Sequence, residues 1–204
     1  MYNLACPASL VHNGGNVDPA GPRAPYTEGK RAAEMAMVTY HREHGVPIRI
    51  ARIFSTYGPG VALDDGRVIS TFIVQALRGD PITIHGGGRQ TRSFCYVDDL
   101  VARLVAMIDR PEQVVGPLNL GRPEEVRISE LAELIRNVTG STSDIVYRDS
   151  DDDDPSRRCP DITRARIRLG WEPAVPLREG INRTAAWIAG EIEVTRGDVS
   201  GGRR

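Results

Sequence analysis

The sequence predicts an α/β protein, and three observations carry that expectation. Stretches with apolar residues at helical spacing alternate along the chain with short β-branched runs, as in folds that lay helices against a sheet. Glycine or proline follows most of the helical stretches, so their ends are marked. No unit of roughly 20–50 residues recurs, which excludes a solenoid or a propeller.

Each element follows from local pattern. The stretch before Tyr26 is turn-rich, with Asn13-Gly14-Gly15-Asn16 and the prolines Pro19, Pro22 and Pro25. From Tyr26 to His44 the residues Ala33, Ala36, Met37 and Tyr40 recur at helical spacing; Gly45 supplies a stop and Pro47 blocks continuation. Ile48 to Phe54 reads as a half-covered strand ending in the loop Ser55-Thr56-Tyr57-Gly58-Pro59-Gly60. A second helix is expected from about Arg67 to Arg78, stopped by Gly79. Pro81 to His85 is a short strand opening into Gly86-Gly87-Gly88, and Ser93 to Val97 is another. Asp98 is expected to cap a helix running to Ile108, and Ser129 one running to about Val138 that Gly140 closes. Pro117 to Leu120 and Ile145 to Tyr147 are strands. Asp149 to Asp154 reads as a solvated acidic loop. Two short helices complete the chain, the second ending near Ala189, with a fraying tail after it.

Composition narrows the function classes. The 204 residues, 40% of them hydrophobic, suffice for one real core with a small attached lobe. With 26 Lys+Arg against 27 Asp+Glu, the net charge of −1 offers no general attraction for nucleic acid or an anionic membrane. No apolar run reaches about 18 residues, so no membrane span is expected. The opening Met1-Tyr2-Asn3-Leu4-Ala5-Cys6-Pro7 has neither a charged leader nor a long apolar run, so no signal peptide is expected either. Cys6, Cys95 and Cys159 are odd in number and far apart. They fit neither a disulfide framework nor a zinc ribbon; no metal site and a reducing cytoplasm are the expectation.

The first candidate for chemistry is Tyr26-x-x-x-Lys30. Spacing i, i+4 puts both side chains on one helix face. An ammonium beside a phenol favours the phenolate, which suits a tyrosine to general acid–base work. Taken alone, the same spacing also describes a surface tyrosine stacked on a lysine stem. Its surroundings carry the decision.

Those surroundings are Gly21-Pro22-Arg23-Ala24-Pro25-Tyr26-Thr27-Glu28-Gly29-Lys30-Arg31-Ala32-Ala33-Glu34, and five further segments follow in order. They are Arg52-Ile53-Phe54-Ser55-Thr56-Tyr57-Gly58-Pro59, Asp64-Asp65-Gly66-Arg67-Val68, and Gln90-Thr91-Arg92-Ser93-Phe94-Cys95-Tyr96-Val97-Asp98-Asp99-Leu100, then Pro155-x-x-Arg158-x-Pro160-Asp161-Ile162 with Leu169-Gly170-Trp171-Glu172-Pro173. Together with Asn3-Leu4-Ala5-Cys6-Pro7-Ala8-Ser9 the series resembles the extended short-chain dehydrogenase/reductase family, and within it most closely the UDP-glucuronate decarboxylases. The resemblance covers nearly the whole chain to about residue 189. It implies a partial Rossmann-like parallel sheet, the C-terminal part of one, with a small α/β substrate-binding lobe. Residues 1–60 are then the remnant of the dinucleotide domain, 61–189 mainly the nucleotide-sugar lobe interleaved with the last sheet elements, and 190–204 a flexible tail.

The family chemistry so implied oxidises C4 of UDP-glucuronate with NAD, loses carbon dioxide and reduces the resulting ketone to give UDP-xylose. Carried over position by position, Tyr26 and Lys30 are catalytic. Leu4, Tyr26, Lys30, Thr56 and Arg67 face the cofactor, and Ser55, Ile69, Ser70, Thr71, Phe72, His85, Gln90, Arg92 and Arg158 face the UDP-sugar. A diphosphate calls for forked, permanently charged donors in a partly buried groove, which is the chemistry Arg67, Arg92 and Arg158 would supply.

The sequence departs from the family in two ways. Ser55 and Thr71 each stand where asparagine is usual, His85 where a tyrosine commonly stacks, and Gly60 where an arginine stands, so altered or weakened substrate binding is expected. There is no strand, Gly-rich turn and helix of the dinucleotide kind near the start. The segment that would supply a hydroxyl partner for the tyrosine is also shortened between Ser9 and Gly15. The sequence reading is therefore a degenerate decarboxylase, or one that needs a partner polypeptide for its cofactor half. The alternative is a non-catalytic nucleotide-sugar-binding or assembly subunit, and a third reading is a remnant without function. A homodimer through the Tyr26 helix is implied by the resemblance, and Ala33, Met37 and Tyr40 are expected either on an interface or under the missing lobe.

Overall fold

A computed structural model describes residues 24–109, 116–149 and 157–201. Leu4, the opening segment and all of the acidic loop except Asp149 lie outside the described residues. Mixed α/β structure is observed, with parallel strand pairs. Two compact units are formed. One is built from Met1–Thr56, Thr91–Glu125 and Pro155–Ala174, the other from Tyr57–Gln90, Val126–Asp154 and Val175–Arg204.

In the first unit, α1 (Ala24–His44) precedes β1 (Ile50–Ile53), and β1 pairs in parallel with β6 (Pro117–Leu120) in the register Ile50 to Pro117 through Ile53 to Leu120. The expected Ile48 to Phe54 strand is thus shorter, although the Phe54 N–H still donates to the Leu120 carbonyl at 2.9 Å. The chain leaves the unit through β2 (Thr56–Tyr57), before α2 and β3, and returns as β4 (Thr91–Ser93), β5 (Cys95–Tyr96) and α3 (Val97–Asp109). The single strand expected over Ser93 to Val97 is instead interrupted at Phe94, where the chain changes partners; the Cys95 N–H donates to the Ser55 carbonyl. Asp98 does not cap α3. The helix has already begun at Val97, and Asp98 and Asp99 sit in its first turn, where their charge complements the exposed N–H groups.

The core of this unit gathers Leu100 and Met107 from α3, Leu118 and Leu120 from β6, and Ala165 and Leu169 from α5 (Thr163–Leu169), with Cys95, Ile162 and Trp171. At Gly121 the backbones come close. A Cβ there would stand 2.8 Å from Phe54 Cβ and 3.0 Å from Pro160 Cγ, closer than carbon atoms tolerate. Asn119, buried on β6, donates from Nδ2 to the Asp161 carbonyl at 2.9 Å and ties the following segment down.

In the second unit α2 (Val68–Arg78), α4 (Ile128–Thr139) and α6 (Leu177–Gly201) pack on one another, and α2 and α4 also cover β3 (Ile82–His85). The chain enters this unit through β7 (Glu125–Arg127), and β3 pairs in parallel with β8 (Ile145–Arg148), Ile82 opposite Ile145 and His85 opposite Arg148. Ile73, Ile82, Ile84, Leu131, Ile135, Ile181 and Ile188 are wholly buried. Ser129 does not cap α4, which starts one residue earlier; its N–H donates instead to the Gly88 carbonyl, while Glu130 reaches back to accept the Arg127 N–H at 3.3 Å. Gly88 has φ +69° and a Cβ there would meet Ser129 and Tyr147 at 3.2 Å, so both conformation and space call for glycine. The last helix runs to Gly201 rather than ending near Ala189, and Ile181, Ala185, Ile188 and Ile192 line its buried stripe.

No helix among the described residues is long and apolar enough to cross a membrane. Gly121→Ala is expected to lower stability by about 1–3 kcal/mol through overpacking against Phe54 and Pro160, read as a fall in the midpoint of chemical denaturation. An unchanged midpoint would mean that the two backbones can part at no cost.

Candidate active site

The site begins with α1. Its inward stripe carries Ala24, Thr27, Glu34 and His41, and its outward face carries Tyr26, Lys30, Ala33, Met37 and Tyr40. Glu34 anchors the helix to β1 through two hydrogen bonds from the Arg52 guanidinium, from Nε at 2.7 Å and from Nη2 at 2.5 Å. The pair is largely shielded, the two side chains 13% and 18% exposed. Burial works to raise the Glu34 carboxyl and the hydrogen bonds and charge of Arg52 work to lower it; the net direction is down.

That anchor leaves Tyr26 and Lys30 facing outward. Tyr26 is 56% exposed, and Lys30 Nζ stands 5.7 Å from the centroid of its ring. The distance is that of a cation over an aromatic face. The phenol hydroxyl and the ammonium are thus both reachable by an incoming molecule, which a catalytic pair requires and a core tyrosine would not offer.

A second feature of the same unit is a pair of arginines. β4 and β9 (Arg157–Arg158) run in parallel with Arg92 directly opposite Arg158. Register partners share a sheet face, so two guanidinium stems rise side by side. Arg92 is buried to 7% exposure and donates from Nη1 to the Thr91 carbonyl at 2.7 Å; Arg158 is half-buried. Thr91 in turn donates to Glu125 at 2.6 Å, a contact that holds the head of β4. Two guanidinium groups carried on one sheet face are the kind of forked donor set a diphosphate calls for. Ser55 is exposed at the end of β1, and the Thr56 hydroxyl turns back to the Phe54 carbonyl at 2.9 Å.

The second unit holds the other candidate residues. Arg67 is exposed, with its Nε 3.4 Å from Asp65. Of the segment Ile69 to Phe72, Ile69, Ser70 and Phe72 are buried and Thr71 is half-exposed. The Ser70 hydroxyl is already used, donating to Asp65 at 2.5 Å. Asp65 also accepts the Arg67 N–H at 3.0 Å, so one carboxylate organises the entry to α2. Sequence reasoning quoted Asp65 within a motif without giving it this part; its position two residues before the helix is the available signal. His85 is exposed, and the Gln90 amide donates to its carbonyl at 2.8 Å, closing the Gly86–Gly88 turn. Gln90 thus has a local structural partner already.

Cysteine chemistry plays no part here. Cys95 is buried, and burial first, then the Asp99 charge, push its thiol up to about 12 despite Arg122, so it stays protonated. Among the described residues no group of three His, Cys, Asp or Glu side chains could hold a metal ion.

Residues 10–121 match the NAD dependent epimerase/dehydratase family. The chain belongs to that family. Among relatives of this family member, UDP-glucuronic acid decarboxylase 1 of Xenopus tropicalis is 49% identical over 179 residues, 88% of this chain and 42% of that protein. UDP-glucuronic acid decarboxylase 5 of Arabidopsis thaliana is 52% identical over 167 residues, 82% of this chain and 48% of that one. The chain therefore spans about half the length of the curated relatives it matches. Of solved structures, an epimerase from Methanothermobacter thermautotrophicus superposes with a TM-score of 0.80 at 33% identity, covering 87% of this chain and 54% of that one. UDP-glucuronic acid 4-epimerase from Bacillus cereus, in complex with UDP-glucuronic acid and NAD, gives 0.76 at 29%, covering 84% and 54%.

Glu34→Gln is expected to cost about 1–2 kcal/mol at neutral pH, the worth of hydrogen bonds to a charged partner. Because the folded-state carboxyl titrates below its ordinary value of 4.5, this contribution is complete above that value. It is lost as pH falls through the lowered one. Denaturation midpoints of parent and variant should converge in acid; a constant gap down to strong acid would contradict the assignment.

Proposed function

We propose that this chain is the tyrosine-bearing, substrate-side portion of a UDP-glucuronate decarboxylase acting with NAD. The observation that carries the reading is the exposed Tyr26 with Lys30 over its ring, in a chain about half identical to such decarboxylases. As phenolate, the Tyr26 oxygen takes the proton from the sugar C4 hydroxyl as that carbon is oxidised, and as phenol it gives the proton back when the ketone is reduced. Tyr26 holds that proton between the two events, and Lys30 keeps a positive charge over its ring throughout. Arg92 and Arg158 hold the diphosphate, so the sugar is oriented by its distant, charged end. Ser55, Thr71 and His85 complete the substrate contacts, with less reach than asparagine or tyrosine would give. Ile69 and Phe72 support that surface from within the core, and Ser70 and Gln90 hold the turns beside it.

The donors available for the cofactor are Tyr26, Lys30, Thr56 and Arg67, an accessible phenol with hydroxyl and cationic groups, and they suit the ribose and phosphates of NAD. The chemistry NAD supplies when bound is hydride acceptance at C4 and its return. In this reading only the C-terminal half of the outward face of α1, with exposed Met37 and Tyr40, is the surface for a second copy, which leaves Tyr26 and Lys30 open to substrate; free Cys95 and Cys159 accord with a reducing cytoplasm. A second reading, a nucleotide-sugar-binding subunit without turnover, is favoured by Ser55, Thr71, His85 and Gly60 at the substrate positions.

Thermal shift separates the two, since a ligand of the native state raises its midpoint. Stabilisation by NAD as well as UDP-glucuronate, with carbon dioxide release, supports the enzyme; stabilisation by UDP-sugar alone supports the binding subunit. Tyr26→Phe should cut turnover at least about a hundredfold while leaving UDP binding intact. Arg158→Ala should weaken UDP-glucuronate binding about tenfold or more, with only partial recovery in Arg158→Lys. Unchanged affinity in Arg158→Ala would remove the arginine pair from the site.

A further inference from the structure

The edge of β8 carries a second recognition surface. Among the described residues β8 has a strand on one side only, β3. The carbonyls of Asp144 and Arg148 accept from Ile82 and Gly86, at 2.8 and 2.7 Å, so the even-numbered residues point their backbone groups toward β3. By alternation the N–H and C=O of Ile145 and Tyr147 point the other way, ready to pair with another strand. Edge strands are commonly blunted by proline, lysine or a bulge. Ile145-Val146-Tyr147 has neither residue, and its backbone keeps an unbroken register with β3.

The flanking residues say what would pair there. Asp144 and Arg148 are both exposed, carry opposite charges and make no ion pair among the described residues. An antiparallel copy of the same strand, centred on Val146, would place each Asp144 opposite Arg148 of the second copy, twice over. The same register sets Ile145 against Tyr147, an apolar and aromatic pair, and uses the outward N–H and C=O groups of those two residues. Centring one residue later would set Ile145 against Asp149 and lose both charge pairs. Hydrogen-bond parity and charge therefore select one register.

There is also room. Ile145 and Tyr147 share the face of Ile82 and Ile84, the side that α4 covers, and Tyr147 is 58% exposed. Beside them lies a groove of about 750 Å³ lined by Ser129, Glu130, Glu133 and Leu134 together with Ile145 and Tyr147. An added strand has space there along Ile145 and Tyr147, while the far side of the groove, with Glu130, Glu133, Arg136 and Arg178, is charged. We infer that β8 is a self-complementary edge at which two copies of this chain join antiparallel about Val146, forming a continuous sheet β3-β8-β8-β3.

Cross-linking tests this without reference to any contact through α1. In a full chain with Cys6 and Cys159 changed to serine, Val146→Cys places two thiols at a non-hydrogen-bonded antiparallel pair, whose spacing suits a disulfide. Mild oxidation should convert it to covalent dimer at least about tenfold faster than Thr142→Cys, an exposed site off the strand. Adding either Asp144→Arg or Arg148→Asp sets like charges opposite and should slow the reaction roughly tenfold. Mixing those two variants should restore it and yield the mixed dimer, identified by mass, in large excess over either homodimer. A Val146→Cys rate equal to that of Thr142→Cys, or homodimers and mixed dimer in statistical proportion, would overturn the proposal; the first outcome would leave the edge to a different polypeptide. Circular dichroism of the exposed-residue variants confirms that each is folded before its rate is read.

Discussion

Parallel strand pairing is the constraint on which the rest of this structure depends. Two parallel strands cannot be joined by a tight turn, so the chain must leave and return between them. Ile50 lies beside Pro117, Ile82 beside Ile145 and Thr91 beside Arg157. Each compact unit is consequently assembled from separated stretches, and the excursion that closes one unit builds the other. Such distant pairings must overcome loop-closure entropy before they yield any contact, so the buried isoleucines and leucines of both cores carry most of the driving force.

The same constraint explains how charge is distributed. The arginine pair exists because β4 and β9 are in register, although the two strands are remote in sequence; the Ser93 hydroxyl donates to the Arg158 carbonyl across a 65-position gap. Glu34 and Arg52 join α1 to β1, and their bidentate contact fixes which face of α1 looks outward. Tyr26 and Lys30 are thus placed by a contact that neither of them makes. Where a polar group has no such chemistry to serve, it is spent on the backbone: Asn119 on the Asp161 carbonyl, Gln90 on that of His85 and Asp65 on the start of α2.

Elements with a single dominant signal were legible in the sequence. The helix ending at His44, the helix ending at Arg78 and the strands around Ile82 and Leu118 lie within a few residues of expectation, because glycine, proline and apolar spacing act locally. Caps were less legible. Asp98 and Ser129 look like caps one residue too late, since what starts each helix is the preceding strand's exit and, for α4, the Gly88 carbonyl across the turn. The length of α6 was hidden for a related reason: past Ala189 polar residues thin the pattern, although Ile192 continues the buried stripe.

The sequence by itself determined the α/β class, the order of helices and strands, the helical spacing that sets Lys30 over Tyr26, and the motif series that resembles a nucleotide-sugar enzyme. These rest on local stereochemistry or on ordered residue identity, both present in one dimension. Tertiary structure alone decided which strands are neighbours, that Arg92 and Arg158 stand on one face, that Ser70 is committed to Asp65, and which edge of β8 remains open. Those facts depend on register between remote segments, and register is settled only when whole faces of helices and strands are buried together.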